Sequence, residues 1–334
     1  MPELRVAILG AGAMGTVHAA AYAGMADVSV VGVFSRNKAR AQAAAARCDA
    51  EAFGDVAALI GRPDIDAIDV CLPSPIHHDA VMAALAAGRH VFCESPLALD
   101  LGEAQQMRDA ARRTGRLLQV GLLMRSVGAY RHIKAITASG QHGRLLSVTT
   151  WRLGSYLHAE ATDPKAHYGE PSTELMTFDF DFVQWVMGAP KRLSATAARS
   201  LRGDKPGEIS AVLDYEDGRH ATVIASGLMP PGSPFTVGFR ALFEGAVYRH
   251  QNVFEGGPPK SSFTVVEGRS PGQPVAMQDR DPYQVELQHF VDCIQSRADP
   301  ALLDADRAIE ALVLSTATQR SLSEHRAVDG FTSA

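Results

Sequence analysis

Between the apolar run Val6-Ala7-Ile8-Leu9 and an Ala-rich stretch lies Gly10-Ala11-Gly12-Ala13-Met14-Gly15, a G-x-G-x-x-G spacing. Its natural chemistry is the grip of a diphosphate. Gly10 permits a tight turn, Gly12 lets the backbone approach a pyrophosphate, and Gly15 lets the following helix pack close to the strand. The N–H groups around Ala13 and Met14 open that helix and supply donors and a positive dipole end to an anion. The motif alone is weak. Set between a strand and a helix, at the head of several βα units, it predicts a dinucleotide site.

The end of the second strand should meet the adenosine ribose. An Asp or Glu there would take the 2′-hydroxyl of NAD. The chain has Phe34-Ser35-Arg36-Asn37 instead. Arg36 can pair with a 2′-phosphate and Ser35 can donate to it, which favours NADP over NAD. Alternatively, Arg36 is a solvated residue opening a helix. A second concentration of titratable side chains is Tyr156, His158, Lys165, His167 and Tyr168, in a segment containing Pro and Gly. Substrate groups are expected on such a loop, although each of the five also reads as an exposed loop residue. His167 and Tyr168 directly precede Gly169-Glu170-Pro171 and can swing over a nicotinamide.

The elements that must position these groups follow from apolar patterning. Strands are expected at residues 4–9, 28–34, 67–72, 90–93 and 117–120, alternating with helices at 14–23, 38–47, 77–87 and 101–114. Continuous apolar strands separated by helices imply a parallel, doubly wound sheet covered on both faces. Beyond residue 123 the texture changes to a helix at 129–139 and strands at 145–152, 192–198, 209–215, 221–226, 236–244 and 263–266. Gly-, Pro- and Asp-containing turns separate most of these. Helices at 283–296 and 304–324 close the chain. The reading is an α/β Rossmann domain over 1–122 and an α+β domain over 123–334 for substrate and oligomerisation, with the last helices free to pack back on the first domain. Residues 256–274, rich in Gly, Pro and Ser, are expected to be a surface loop.

Composition narrows the classes further. A length of 334 residues suffices for two cores. The formal charge of −5 and the absence of a Lys/Arg run argue against nucleic acid, a transcriptional regulator included. The chain enters an apolar strand almost at once, with neither a signal peptide nor a stretch long enough to span a membrane, so a cytoplasmic protein is expected. Cys48, Cys71, Cys93 and Cys293 form no CxxC pair and no zinc-finger spacing, and are read as reduced thiols with no metal.

Taken together, several motifs resemble the glucose–fructose oxidoreductase, inositol dehydrogenase and MocA family over nearly the full length. They are the glycine turn, Leu72-Pro73-Ser74-Pro75-Ile76-His77, and the run from Ala84 through Glu94-Ser95-Pro96 to Ala98. Val120-Gly121 with Arg125, Phe178-Asp179-Phe180-Asp181 and the Glu286-to-Phe290 stretch complete them. The resemblance implies a Rossmann domain plus an open-faced, mostly antiparallel sheet domain. It also implies hydride transfer between a nicotinamide and a hydroxyl or carbonyl of a sugar or cyclitol, and homo-oligomers, dimers or tetramers, formed through the open sheet. It places Leu72, Pro73, His77, Glu94 and Ser95 at the cofactor. Arg125 falls at the domain junction, holding substrate or making an interdomain salt bridge. His77 opens a helix, whose N-terminus disfavours an imidazolium, so it is read as a neutral hydrogen-bonding group.

Three positions depart from the family pattern. Its Glu-Lys-Pro is Glu94-Ser95-Pro96 here, and its Asp and His four residues apart are Glu174 and Phe178. Alcohol oxidation needs a group to take the hydroxyl proton, worth roughly 10²–10⁴-fold in rate. Serine is too weak for that and phenylalanine is inert. Glu174 can accept the proton among apolar neighbours, with His167 or Tyr168 assisting; alternatively Glu174 only caps the next helix, and Ser95 only completes a turn. Two functions follow. One is an NAD(P)-dependent oxidoreductase with a rebuilt proton-transfer site. The other is a cofactor-binding protein without conventional dehydrogenase activity: a sensor, a partner subunit, or an enzyme of another reaction class.

Overall fold

A computed structural model of the chain describes residues 3–155, 170–199, 206–277 and 280–331. The chain forms two compact units. One is Met1–Val127 with Arg280–Ile309, the other Gly128–Asp279 with Glu310–Ala334.

In the first unit the strands are β1 (Leu4–Leu9), β2 (Val28–Phe34), β3 (Glu51–Phe53), β4 (Ala67–Val70), β5 (His90–Cys93) and β6 (Leu118–Val120). Helices α1 (Ala13–Ala23), α2 (Lys38–Ala45), α3 (Val56–Ile60), α4 (His77–Ala86) and α5 (Leu101–Thr114) connect them. The strand order is β3-β2-β1-β4-β5-β6, with every neighbouring pair parallel. This is the doubly wound dinucleotide-binding order, with its switch point between β1 and β4. Val6, Ile8, Ile68, Val70, Val91 and Phe92 are fully buried, as expected of parallel strands covered on both faces. Local chemistry fixes the helix starts. Asn37 accepts the Arg40 N–H at α2, Asp55 that of Ala57 at α3, and Asp100 that of Glu103 at α5. β3 and α3, short and half-exposed, lack the periodicity that would mark them in the sequence.

The second unit begins with α6 (Gly128–Ser139) and β7 (Leu145–Leu153). After α7 (Pro171–Glu174) and α8 (Met176–Met187) come β8 (Arg192–Arg199), β9 (Pro206–Asp214), β10 (His220–Ser226), β11 (Phe235–Phe243), β12 (Ala246–Phe254), β13 (Lys260–Glu267) and β14 (Gln273–Pro274). Helix α9 (Pro282–Ile294) belongs to the first unit, α10 (Ala305–Glu324) crosses the division, and β15 (Val328–Asp329) ends the second. The sheet order is β14-β13-β12-β11-β7-β10-β9-β8-β15; β7 and β10 pair in parallel and the other pairs are antiparallel. One face carries an aromatic core, where Tyr130 stacks edge-on against Phe182 at 4.6 Å and Phe239 at 4.8 Å. Thr149, Trp151, Val212, Thr222 and Ile224 lie half-exposed on the opposite face. The strand expected at 263–266 is part of β13, and β14 also lies within residues 256–274, otherwise expected to be a loop. Their Gly and Pro residues mark the turns, while Phe263, Val265 and Val266 pair against β12. β12 went unrecognised because Arg249, His250, Gln251 and Asn252 interrupt its apolar alternation. Among the described residues no helix is long and apolar enough to cross a membrane, and the four cysteines are unpaired.

Candidate active site

The glycine turn lies at the β1/β4 switch point, and geometry separates its three glycines. Gly10 has φ +118°, and a Cβ there would stand 2.3 Å from the Cys71 carbonyl oxygen. A Cβ on Gly15 would stand 1.9 Å from the Gly10 carbonyl oxygen. Both are therefore demanded by the protein's own packing. Gly12 is different: a Cβ there would meet nothing within 4 Å, its φ is an ordinary −80°, and it leads into α1 without a side-chain cap. No protein contact requires a glycine at 12, whereas a group lying on the backbone would. Exposed Gly12 and Ala13 and half-exposed Met14 thus form a cradle that fits a dinucleotide diphosphate. At the end of β2, Arg36 is exposed and Ser35 Oγ accepts the Asn37 N–H at 3.2 Å.

Two turns flank this cradle. Cys71-Leu72-Pro73 follows β4, and Glu94-Ser95-Pro96 follows β5, with Ser95–Pro96 a cis peptide. His77 is buried between them. Its Nδ1 is 2.9 Å from the Pro96 carbonyl oxygen and its Nε2 2.7 Å from that of Leu72. Each ring nitrogen thus faces a carbonyl oxygen, one from each turn, so the ring ties the two turns together. Ser95 donates its N–H to Glu94 Oε2 at 3.0 Å, and its own Oγ is buried without a protein partner. Arg125 is buried in the same unit and donates to the Leu302 carbonyl oxygen at 3.0 Å.

In the second unit Glu174 ends α7 and Phe178 lies one turn later on α8, both half-buried. Helix α8 starts from Leu175 without a side-chain cap. The Arg152 guanidinium stacks over the Phe178 ring at 4.7 Å and reaches Asp179 Oδ2 from Nε at 2.6 Å. This ion pair is nearly fully buried, and burial pushes the Asp179 carboxyl upward against the pull of Arg152. Phe178 is thereby part of a packed cation–π stack. Tyr156, His158, Lys165, His167 and Tyr168 lie outside the described residues.

Sequence reasoning missed a buried cluster behind the cradle. His18, on α1 three residues after Gly15, has Nδ1 2.8 Å from Asp69 Oδ2 on β4 and 3.2 Å from Cys71 Sγ. Its Nε2 lies 3.0 Å from Glu94 Oε1, an ion-pair approach without hydrogen-bond alignment. Burial opposes charge on this ring, but the Asp69 carboxylate and the hydrogen bonds that Asp69 and Cys71 make with Nδ1 hold His18 well above the ordinary histidine value. Burial, reinforced by Glu94, likewise pushes the Glu286 carboxyl on α9 well up. The available sign was Asp69, a carboxylate inside the apolar run of β4. His18, Asp69 and Cys71 also carry metal-binding atoms. The Sγ–Oδ1 separation is 3.4 Å, and all three spacings are those of hydrogen bonds. The Nδ1–Oδ2 separation of 2.8 Å is shorter than a metal-tetrahedron edge of about 3.3–3.7 Å and fits a hydrogen bond.

A parallel sheet in this order, with a glycine cradle at its switch point, defines an NAD(P)-binding Rossmann protein, here joined to a second, mixed-sheet unit. Residues 4–122 match the oxidoreductase family with NAD-binding Rossmann fold, and 130–245 match the GFO/IDH/MocA C-terminal domain. The chain belongs to the glucose–fructose oxidoreductase, inositol dehydrogenase and MocA family of oxidoreductases. It is 25% identical over 331 residues to scyllo-inositol 2-dehydrogenase (NAD(+)) of Bacillus subtilis, covering 95% of this chain and 93% of that protein. It is 32% identical over 202 residues to inositol 2-dehydrogenase of Acidothermus cellulolyticus, covering 59% and 58%. Among solved structures, UDP-N-acetylglucosamine 3-dehydrogenase of Acidithiobacillus ferrooxidans shares the fold with a TM-score of 0.80 at 21% identity, covering 97% and 99%. Scyllo-inositol dehydrogenase of Lactobacillus casei gives 0.80 at 20%, covering 98% of each chain.

Proposed function

We propose that the chain is an NADP-preferring dehydrogenase of a small polar alcohol or ketone, sugar- or cyclitol-like, with Glu174 in place of the family's proton-transfer residues. The observation that carries the reading is the Gly12 cradle, which a ligand and not the protein requires to be free of a side chain. Bound there, a nicotinamide supplies hydride chemistry. The protein's own task is to take or give the accompanying proton. Ser95 and Phe178 do not suit it, whereas Glu174, half-buried at the end of α7, can hold a proton. Exposed Arg36, with no acid beside it at the end of β2, supports the choice of NADP. Half-exposed Trp151 and Ile224 and exposed Leu242, on the uncovered sheet face, support a homo-oligomer formed there.

The test is cofactor turnover with a panel of sugars, cyclitols and keto compounds. Wild type should turn over at least one of them, and Glu174→Gln should lose about 10²-fold or more in kcat. Equal activity of that variant removes Glu174 as the base. A second reading, a cofactor-binding protein without conventional dehydrogenase activity, is favoured by the stacking of Phe178 on Arg152, which leaves the family's histidine position without a titratable group. It requires dinucleotide binding with no turnover across the panel.

A further inference from the structure

The turn carrying Ser95 is anchored in an unusual way. Two buried histidines from different helices, each engaged at both ring nitrogens, converge on three consecutive residues. His77 of α4 holds the Pro96 carbonyl oxygen and ties it to Leu72. His18 of α1 holds Glu94 and ties it to Asp69 on β4. Glu94 passes the restraint on, because its other oxygen accepts the Ser95 N–H. Gly121 leaves it room, since a Cβ there would stand 3.0 Å from Glu94 Oε2.

The groups facing His18 decide its charge. From β4 and the residue after it come Asp69 and Cys71, from the turn after β5 Glu94, from α9 Glu286 and Tyr283, and from α1 itself Tyr22. Burial keeps the Cys71 thiol and the Tyr22 hydroxyl protonated, and Glu286 shares that preference. Asp69 and Glu94 then flank a single imidazole. A neutral ring between them would leave both carboxyl groups without a countercharge. One proton on the ring meets both.

We propose that His18 is a positioning residue of the cofactor site: clasped between Asp69 and Glu94, it fixes the Glu94-Ser95-Pro96 turn, the wall of the crevice in which the family's lysine is absent. The inference rests on the reading of this crevice as a nicotinamide dinucleotide site. The tie acts in one direction with pH. It is complete while the ring holds its proton and fails as pH rises and the proton leaves.

The test uses the full chain in two arms. Histidine side-chain ¹⁵N NMR, with the His18 signal identified by its loss in His18→Gln or, where that variant does not fold, by elimination as the other histidines are substituted in turn, should show both ring nitrogens of His18 protonated at pH 8. A neutral ring at pH 7 overturns the proposal. NADPH titration should show His18→Gln binding at least tenfold more weakly than wild type. The His18→Gln/Glu94→Gln pair should be no weaker than the weaker single variant, because both substitutions break the same tie. Wild-type affinity in His18→Gln, or multiplicative losses in the pair, overturns it. Should His18→Gln fail to fold, wild type alone decides: NADPH affinity must fall at alkaline pH with the same midpoint as the deprotonation of His18, and separate midpoints overturn the proposal. Wild type that binds neither NADPH nor NADH refutes the dinucleotide reading instead, and the ring signals of His18 still report whether the clasp exists.

Discussion

Substituting Gly12 and Gly15 separately should split binding from folding. In Gly15→Ala the new methyl lands 1.9 Å from the Gly10 carbonyl oxygen. Ordinary contact is about 3.2 Å or more, so β1 and α1 must part by over an ångström in a close-packed core. That oxygen has little freedom, because Gly10 itself sits against the Cys71 carbonyl. Overpacking of this kind costs about 1–3 kcal/mol and occasionally more, a large share of a typical 5–15 kcal/mol total. In Gly12→Ala the methyl meets no protein atom within 4 Å and the backbone is already in an ordinary conformation. Stability should then change by about 1 kcal/mol at most in either direction. The methyl instead occupies the space of the diphosphate. Loss of one or two charge-assisted hydrogen bonds there, at about 1.5–3 kcal/mol each, corresponds to roughly 10-fold to 10⁴-fold in affinity. Thermal melts and NADPH fluorescence titrations on both variants give the readout. Gly12→Ala that binds like wild type, or Gly15→Ala that melts like wild type, would refute the reasoning.

Other perturbations should be equally legible. Asp179→Ala leaves the Arg152 guanidinium buried without its carboxylate and should cost about 3–5 kcal/mol, seen as a lower urea midpoint; an unchanged midpoint would mean that Phe178 stacking alone accommodates the charge. His18 and Glu286 have folded-state values raised above their unfolded ones. Their stabilisation is therefore full below the unfolded values and is lost as pH rises through the folded ones. From pH 6.5 to 8 the stability measured by urea unfolding should fall, by up to about 1.4 kcal/mol per proton per pH unit, and a rise contradicts the assignment. Arg36→Glu should weaken NADPH at least tenfold while leaving NADH within about threefold, measured by competitive titration.

Much of the first unit could be read from the chain because its strands are uninterrupted apolar runs and its turn motif has a mechanism attached to each glycine. Ser95, Glu174 and Phe178 could also be singled out in the sequence, by their fixed distance from Pro96 and Asp179. What pattern could not supply was distance in space. His18 looked like one residue on an Ala-rich helix, and Asp69 like a flaw in a strand, until the fold set them 2.8 Å apart. The partners of His77 were hidden for a similar reason. Its helix-terminal setting was legible, but the two carbonyl oxygens facing its ring come from turns 5 and 19 residues away. β12 stayed hidden because its neighbours in the sheet, rather than its own alternation, hold it in place.

Isothermal calorimetry of the wild-type chain with NADPH and NADH tests most directly whether the Gly10–Gly15 turn grips a dinucleotide. Saturable binding at one site per chain, tighter for NADPH and greatly weakened in Gly12→Ala, is the expected result. No binding of either dinucleotide, or binding indifferent to the Gly12 substitution, would contradict it.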